Sequence, residues 1–196
     1  MIHVVRHGRT AANAGGLLLG RADPPLDPAG VEQARAAAAV LPADAVVVSS
    51  PLQRCTATAA ALSGHHEVDD RFVELDYGTW DLTPLSEVPA ELWASWRADP
   101  HFRPAGGETL AELAERVSEG LEHWVRAADG RDLVVVSHVS PIKASLAWAL
   151  GVGIEISWRA FVAQASITRI AVTTRGPSLH AFNDVAHLAA VVSPGH

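Results

Sequence analysis

Val4-Val5-Arg6-His7-Gly8-Arg9-Thr10 marks an abrupt change of chemistry: a largely apolar run, Ile2–Val5, meets an arginine–histidine pair and then a glycine. The run predicts a buried strand, and Gly8 predicts the turn that ends it. A guanidinium and an imidazole are thereby set together at the carboxyl end of a strand, the edge at which open α/β sheets bind ligands. Arg6 offers a planar fork matched to phosphate oxygens, and His7 is the side chain most readily used as a nucleophile or proton carrier near neutral pH.

Further β-branched runs recur at Ala45–Val48, Leu133–Val136 and Ile167–Thr173, with a weaker one at Leu179–Phe182. Helical periodicity lies between them. Asp27-Pro28 predicts the start of a helix through Gly30–Leu41, with Asp as N-cap and Pro in the first turn. Ser50-Pro51 predicts the same for Leu52–Leu62. Thr109–Ala128 is a long amphipathic stretch, and Ser140-Pro141 opens another that runs to Leu150 and closes at Gly151. Strand–helix alternation of this kind predicts a layered α/β fold. The expected form is a three-layer α/β/α sandwich about a mostly parallel sheet, one domain over residues 1–196. Residues 79–104, with Trp80, Trp93, Trp96 and Phe102, interrupt the alternation and are expected to form an inserted cap. Ser193–His196 are expected to fray.

Composition narrows the class. The chain has 196 residues, 48% hydrophobic and 19% charged, which suits one well-buried globular domain. A formal net charge of −7 argues against a nucleic-acid partner, because backbone binding needs a basic face. Cys55 is the single cysteine, so no internal disulfide framework exists. It also fails the cysteine-phosphatase arrangement, since the residue six positions on is Ala61 rather than Arg. No secretory leader pattern and no run long enough to span a membrane is present, so no membrane partner and a cytoplasmic location are expected.

Three strand ends line up. The first closes on Arg6-His7-Gly8, the second on Ser49-Ser50-Pro51-Leu52-Gln53-Arg54, and a later one on Val136-Ser137-His138. Each cluster sits at a strand-to-helix junction, so all can converge on one sheet edge. The helices that follow would aim free N–H groups at the same place, an anion site. Two arginines and two histidines on an acidic chain predict a small positive pocket for phosphate. His65-His66 lacks a third ligand and predicts a surface loop, not a metal site. His180 and His187 are expected to be structural.

With these blocks in order, the chain resembles the histidine phosphatase superfamily, the phosphoglycerate-mutase-like enzymes. The resemblance rests on Arg6-His7-Gly8-Arg9-Thr10 with Asn13, Asp23-Pro24-Pro25-Leu26 with Gly30 and Gln33-Ala34, and Ser49–Arg54 with Thr56-Ala57. It continues through Glu74-Leu75-Asp76-Tyr77-Gly78-Thr79-Trp80, Gly106-Gly107-Glu108-Thr109 and Ser137-His138. It implies that His7 is a nucleophile that becomes phosphohistidine, that Arg6 and Arg54 clamp the phosphoryl oxygens, and that His138 stabilises the transferring group. Glu74 would protonate the leaving alcohol and then activate water, with Asp76 and Asp81 close enough in sequence to replace it. Asn13, Thr10, the turn at Gly20 and the backbone of Val139 would add phosphate contacts. No metal or other cofactor is implied.

The chain departs from that pattern in places. Val139-Ser140-Pro141 stands where many relatives have Gly-Gly after the second histidine, Leu19 stands in place of a common Gln, and Asp81-Leu82 in place of an acidic-Gly pair. The expected activity is metal-independent hydrolysis of a small phosphorylated metabolite. Phosphoglycerate-mutase-type transfer, or a phosphate-binding regulator with little catalysis, are the alternatives. Substrate choice is expected to lie in residues 79–104, where Trp93, Trp96, Arg97, Phe102 and Arg103 are candidate contacts, although indoles at helical spacing also suit simple packing.

Overall fold

The computed structural model describes residues 1–189, so the fraying expected of Ser193–His196 falls outside the described residues. The strands are β1 (Ile2–Arg6), β2 (Val46–Ser49), β3 (Glu67–Val68), β4 (Leu133–Ser137), β5 (Ile167–Thr173) and β6 (Gly176–Asp184). Strands β1, β2 and β4 each run one residue past their apolar stretch, so Arg6, Ser49 and Ser137 belong to the sheet rather than to loops. They form one six-stranded sheet in the order β3-β2-β4-β1-β5-β6. The first four are mutually parallel, while β5 and β6 add antiparallel on the far side of β1. The short, exposed β3 carries no apolar alternation, and the sequence pattern did not reveal it.

Helices cover both faces. Helices α1 (Ala11–Ala14), α2 (Pro28–Ala38), α3 (Gln53–Leu62), α4 (Ala90–Ala98), α5 (Leu110–Ala127) and α6 (Val139–Leu150) follow in chain order. One face of the sheet presents Val5, Val47, Val134, Val136 and Ile167 to Cys55 and Ala59 of α3. The other presents Ile2, Val4, Val48, Leu133, Val135 and Ile170 to Leu113, Val117 and Leu121 of α5 and Ile142 of α6. Neighbouring residues such as Val4 and Val5 point to opposite faces, as strand pleating requires, and both are buried. This double burial explains continuous apolar strands. The three fully buried α5 residues recur every four positions, each worth about 2 kcal/mol of burial.

Helix starts show where local signals were misleading. Asp27 caps α2 by accepting from the Gly30 amide, as expected, but the helix ends at Ala38 rather than Leu41. Thr109 and Glu112 form a reciprocal capping box at α5. Ser50, however, does not cap α3: that helix begins at Gln53 after Leu52, with no side-chain cap. Likewise α6 begins at Val139 behind His138, so Ser140-Pro141 lies inside its first turn. Both serines are diverted to side-chain partners in the site below.

The turn after β1 is held by close backbone contact. A Cβ on Gly8 would lie 2.3 Å from the Gly30 carbonyl oxygen, and one on Gly30 would lie 2.1 Å from that of Arg9. Only glycine at both positions lets the start of α2 press against this turn. The Gly8 amide also donates to Thr58 Oγ1 of α3 at 3.1 Å, and Arg9 pairs with Asp27 at 2.7 Å. The residues following β1 are therefore fixed from two helices.

Candidate active site

The carboxyl ends of β1, β2 and β4 bring Arg6, His7, Ser50, Arg54 and His138 together, and all five are buried. His7 Nδ1 lies 2.7 Å from the Gly8 carbonyl oxygen. A carbonyl can only accept, so Nδ1 carries the hydrogen and Nε2 carries the lone pair. Nε2 has no hydrogen-bond partner among the described residues, and His7 lines a cavity of about 280 Å³. Burial, reinforced by Arg6 and Arg54, pushes His7 well below the ordinary histidine pKa. The ring is thus held neutral, as a nucleophile must be.

Arg6 lines the same cavity. Its Nη1 donates to the Val162 carbonyl at 2.7 Å, and its buried Nε has no partner among the described residues. Burial brings its pKa down to about 10, with Glu74 opposing that shift, so it remains cationic at neutral pH. Arg54 stands behind this wall. It donates from Nε to His138 Nδ1 at 3.2 Å, and from Nη1 and Nη2 to the carbonyls of Ala22 and Gly20 at 2.7 Å each. Of its five N–H groups, these bonds leave one on each terminal nitrogen.

His138 is also recessed. It accepts from Arg54 at Nδ1, so Nε2 carries the hydrogen, which it donates to Ser50 Oγ at 2.7 Å. Burial first, and then Arg54, lower its pKa well below the usual value. Its ring stands edge-on to His7 with centroids 5.1 Å apart. Cys55 Sγ lies 3.3 Å from His138 Nε2, and burial pushes this thiol far up, leaving it protonated and inert. His138 therefore packs against the back of His7 with both ring nitrogens engaged.

Glu74 lines the cavity with His7, whereas Asp76 and Asp81 do not. The two aspartates have other partners: Asp76 accepts from the Gly78 amide, and Asp81 from those of Gly20 and Ala22. The Glu74 carboxylate accepts from the amides of Leu75 at 2.7 Å and of Val139 and Ser140 at 3.1 Å each. The N-terminus of α6 thus has its acceptor in place, and the acceptor is a side chain of this protein. Val139, expected to offer its amide to phosphate, gives it to Glu74.

Other expected contacts divide. Asn13 lines the cavity. Its carboxamide oxygen accepts from the Thr10 amide and hydroxyl, which leaves the NH₂ unpaired among the described residues. Thr10 is fully buried as the cap of α1, and Gly20 gives its amide to Asp81. Gln164 also lines the cavity and was not foreseen. Its signal was available: β5 is antiparallel to β1, so residues just before Ile167 must lie at the ligand edge. Leu17, Leu18, Leu19 and Leu85 supply an apolar side.

A neutral imidazole with a free Nε2, beside a guanidinium with spare donors on a parallel sheet edge, defines a phosphoryl-transfer class of α/β protein. The chain belongs to the histidine phosphatase superfamily (branch 1), whose family model matches residues 2–185. Among curated relatives, a bifunctional protein of Mycobacterium tuberculosis is 36% identical over 84% of this chain. The match covers 48% of that protein, so this chain spans about half the length of the relatives first in rank. Phosphoserine phosphatase 1 of Hydrogenobacter thermophilus is 30% identical, with 98% of this chain and 96% of the relative covered. Among solved structures, the mycobacterial glucosyl-3-phosphoglycerate phosphatase complexed with VO3 superposes with a TM-score of 0.84. It is 28% identical, covering 94% of this chain and 98% of that one.

Proposed function

We propose that this protein is a cofactor-free phosphomonoesterase that hydrolyses small phosphorylated metabolites through a phosphohistidine at His7. The observation that carries the reading is the His7 ring, neutral, tied at Nδ1 to the Gly8 carbonyl and open at Nε2 beside Arg6. In the first step, the Nε2 lone pair forms the N–P bond as the P–O bond to the alcohol breaks. A proton from the Glu74 carboxylic acid completes the alcohol and leaves Glu74 as the carboxylate. In the second, Glu74 takes a proton from water, the water oxygen bonds to phosphorus and the N–P bond breaks, returning His7 and releasing phosphate. Covalent catalysis replaces one difficult displacement by two easier ones.

Charge on the transferring group falls to Arg6, with the remaining N–H groups of Arg54 behind it and the Asn13 amide at the side. Fixed cationic donors of this kind stabilise the spread negative charge of phosphoryl transfer. His138, fully engaged, holds the His7 ring and Arg54 in place. The names of relatives that act on phosphoserine and glucosyl-3-phosphoglycerate support a small phosphorylated substrate. A single cytoplasmic domain with its cap over residues 79–104 completes the proposal. Among the described residues, no helix is long and apolar enough to cross a membrane.

The test is hydrolysis of p-nitrophenyl phosphate with and without orthovanadate and EDTA. Inhibition by vanadate with indifference to EDTA is expected. Activity lost to EDTA and restored by a divalent ion would overturn the metal-independent mechanism.

A further inference from the structure

A second cavity of about 260 Å³ adjoins the first and shares Tyr77 and Val139 with it. Its walls are indoles: Trp93 and Trp96 from α4, and Trp158 from the 3-10 turn at Ile154–Arg159. They lock one another edge to face. Tyr77 and Trp96 stand 5.8 Å apart at 82°, and Trp93 and Trp158 stand 6.2 Å apart at 81°. Arg97 lies over the Trp158 ring at 5.6 Å and stiffens it from outside.

Aromatic packing alone does not explain the polar groups. Among the described residues, the indole N–H of Trp96 (2% exposed) has no partner, and neither has the hydroxyl of Ser157 (5% exposed). Lys143, the single lysine of the chain, lines the same cavity one turn along α6 from Val139. No carboxylate pairs with it among the described residues, and none lines this cavity. Lys143 is therefore a cation on walls that carry no carboxylate, and a charged donor so placed calls for a partner. An oxygen-rich anion supplies one.

We propose that this cavity receives the alcohol side of the phosphomonoester and selects an alcohol bearing both a flat-faced ring and a carboxylate, with Lys143 as the specificity-determining cation. The inference rests on the phosphatase reading and deepens it. The ring lies against the indoles, whose faces favour stacking. The carboxylate meets Lys143, while the phosphate stays with Arg6 and His7 in the neighbouring cavity.

The test compares kcat and KM for 4-carboxybenzyl phosphate, benzyl phosphate and glycerol 1-phosphate, whose leaving groups are all alkoxides. The carboxylated ester is expected to exceed benzyl phosphate in kcat/KM by about tenfold or more, as a buried charged hydrogen bond would give. Benzyl phosphate is expected to exceed glycerol phosphate by a similar factor. Lys143→Met should collapse the first ratio through KM, Lys143→Arg should retain most of it, and Trp93→Ala should collapse the second. Flat ratios in the native protein, or an equal loss of kcat on all three esters in Lys143→Met, would overturn the proposal while leaving the phosphatase intact. Tryptophan fluorescence titration with 4-(hydroxymethyl)benzoate reads the site without turnover. If no ester is hydrolysed but this alcohol binds, and Lys143→Met weakens it tenfold, the phosphatase reading falls and the pocket stands. Failure of both turnover and binding removes both.

Discussion

His7 is asked to attack and then to leave, and the hydrogen bond from Nδ1 to the Gly8 carbonyl fixes which nitrogen does so. His7→Ala is expected to abolish turnover and acid-labile labelling, because among the described residues no second histidine lines the cavity, and both ring nitrogens of His138 are engaged. Loss of a nucleophile costs several kcal/mol of barrier, so a residual rate above about one-hundredth of native would refute the covalent route. Glu74 poses a finer question. Glu74→Gln should slow alkyl phosphates on the order of a hundredfold while sparing p-nitrophenyl phosphate in the first step, since p-nitrophenolate departs without a proton. Single-turnover measurements separate that step from dephosphorylation. Equal loss on both esters in the first step would remove Glu74 as proton donor.

At the scale of elements, α5 is held at its start by a capping box, where Thr109 Oγ1 accepts from the Glu112 amide and the Glu112 carboxylate accepts from the Thr109 amide. Thr109→Ala should lower unfolding stability by about 1 kcal/mol, measured by urea titration at unchanged slope, and should leave KM unaltered. Such signals were legible in the sequence because they are local: Asp27 and Thr109 cap the helices that their spacing implied. Ser50 and Ser140 look the same in sequence, yet they serve His138 and Tyr77, which lie 88 and 63 residues away. That diversion depends on tertiary convergence, which no short window contains. The site divided in the same way. Arg6 and His7 were readable as residue types at a strand end and Glu74 only through the family resemblance, whereas the recession of Arg54 and His138 and the arrival of Gln164 required the sheet order. Trp158 escaped notice because its 3-10 turn lies outside the expected cap.

For the whole molecule, the two buried histidines set its response to acid. His7 and His138 have folded-state pKa values well below 6.5, chiefly through burial. Above that pH both are neutral folded or unfolded, and they impose no penalty. As pH falls below 6.5 the unfolded chain takes up protons that the folded chain refuses, so stability drops by about 1.4 kcal/mol per pH unit for each histidine. His3 and His187, also lowered by burial, act in the same direction. Urea midpoints measured from pH 7.5 to 5 should therefore fall steadily below pH 6.5. A flat profile down to pH 5 would show that His7 and His138 accept protons in the folded state.

The placement of β1 has a consequence for how the protein comes into being. Ile2 pairs with Leu133 on one side and with Ile170 on the other. The strand bearing Arg6 leaves the ribosome more than a hundred residues ahead of both its neighbours. At roughly 5–20 residues per second, the nascent chain waits on the order of ten seconds with this strand unpaired. Contacts this distant in sequence also slow folding through loop-closure entropy. During synthesis, Val4 and Val5 are thus an exposed apolar segment in need of protection, and the nucleophile is assembled among the last events of folding. A ribosome-bound chain stalled before β4 emerges should bind a chaperone through the unpaired Ile2–Val5 segment and form no phosphohistidine.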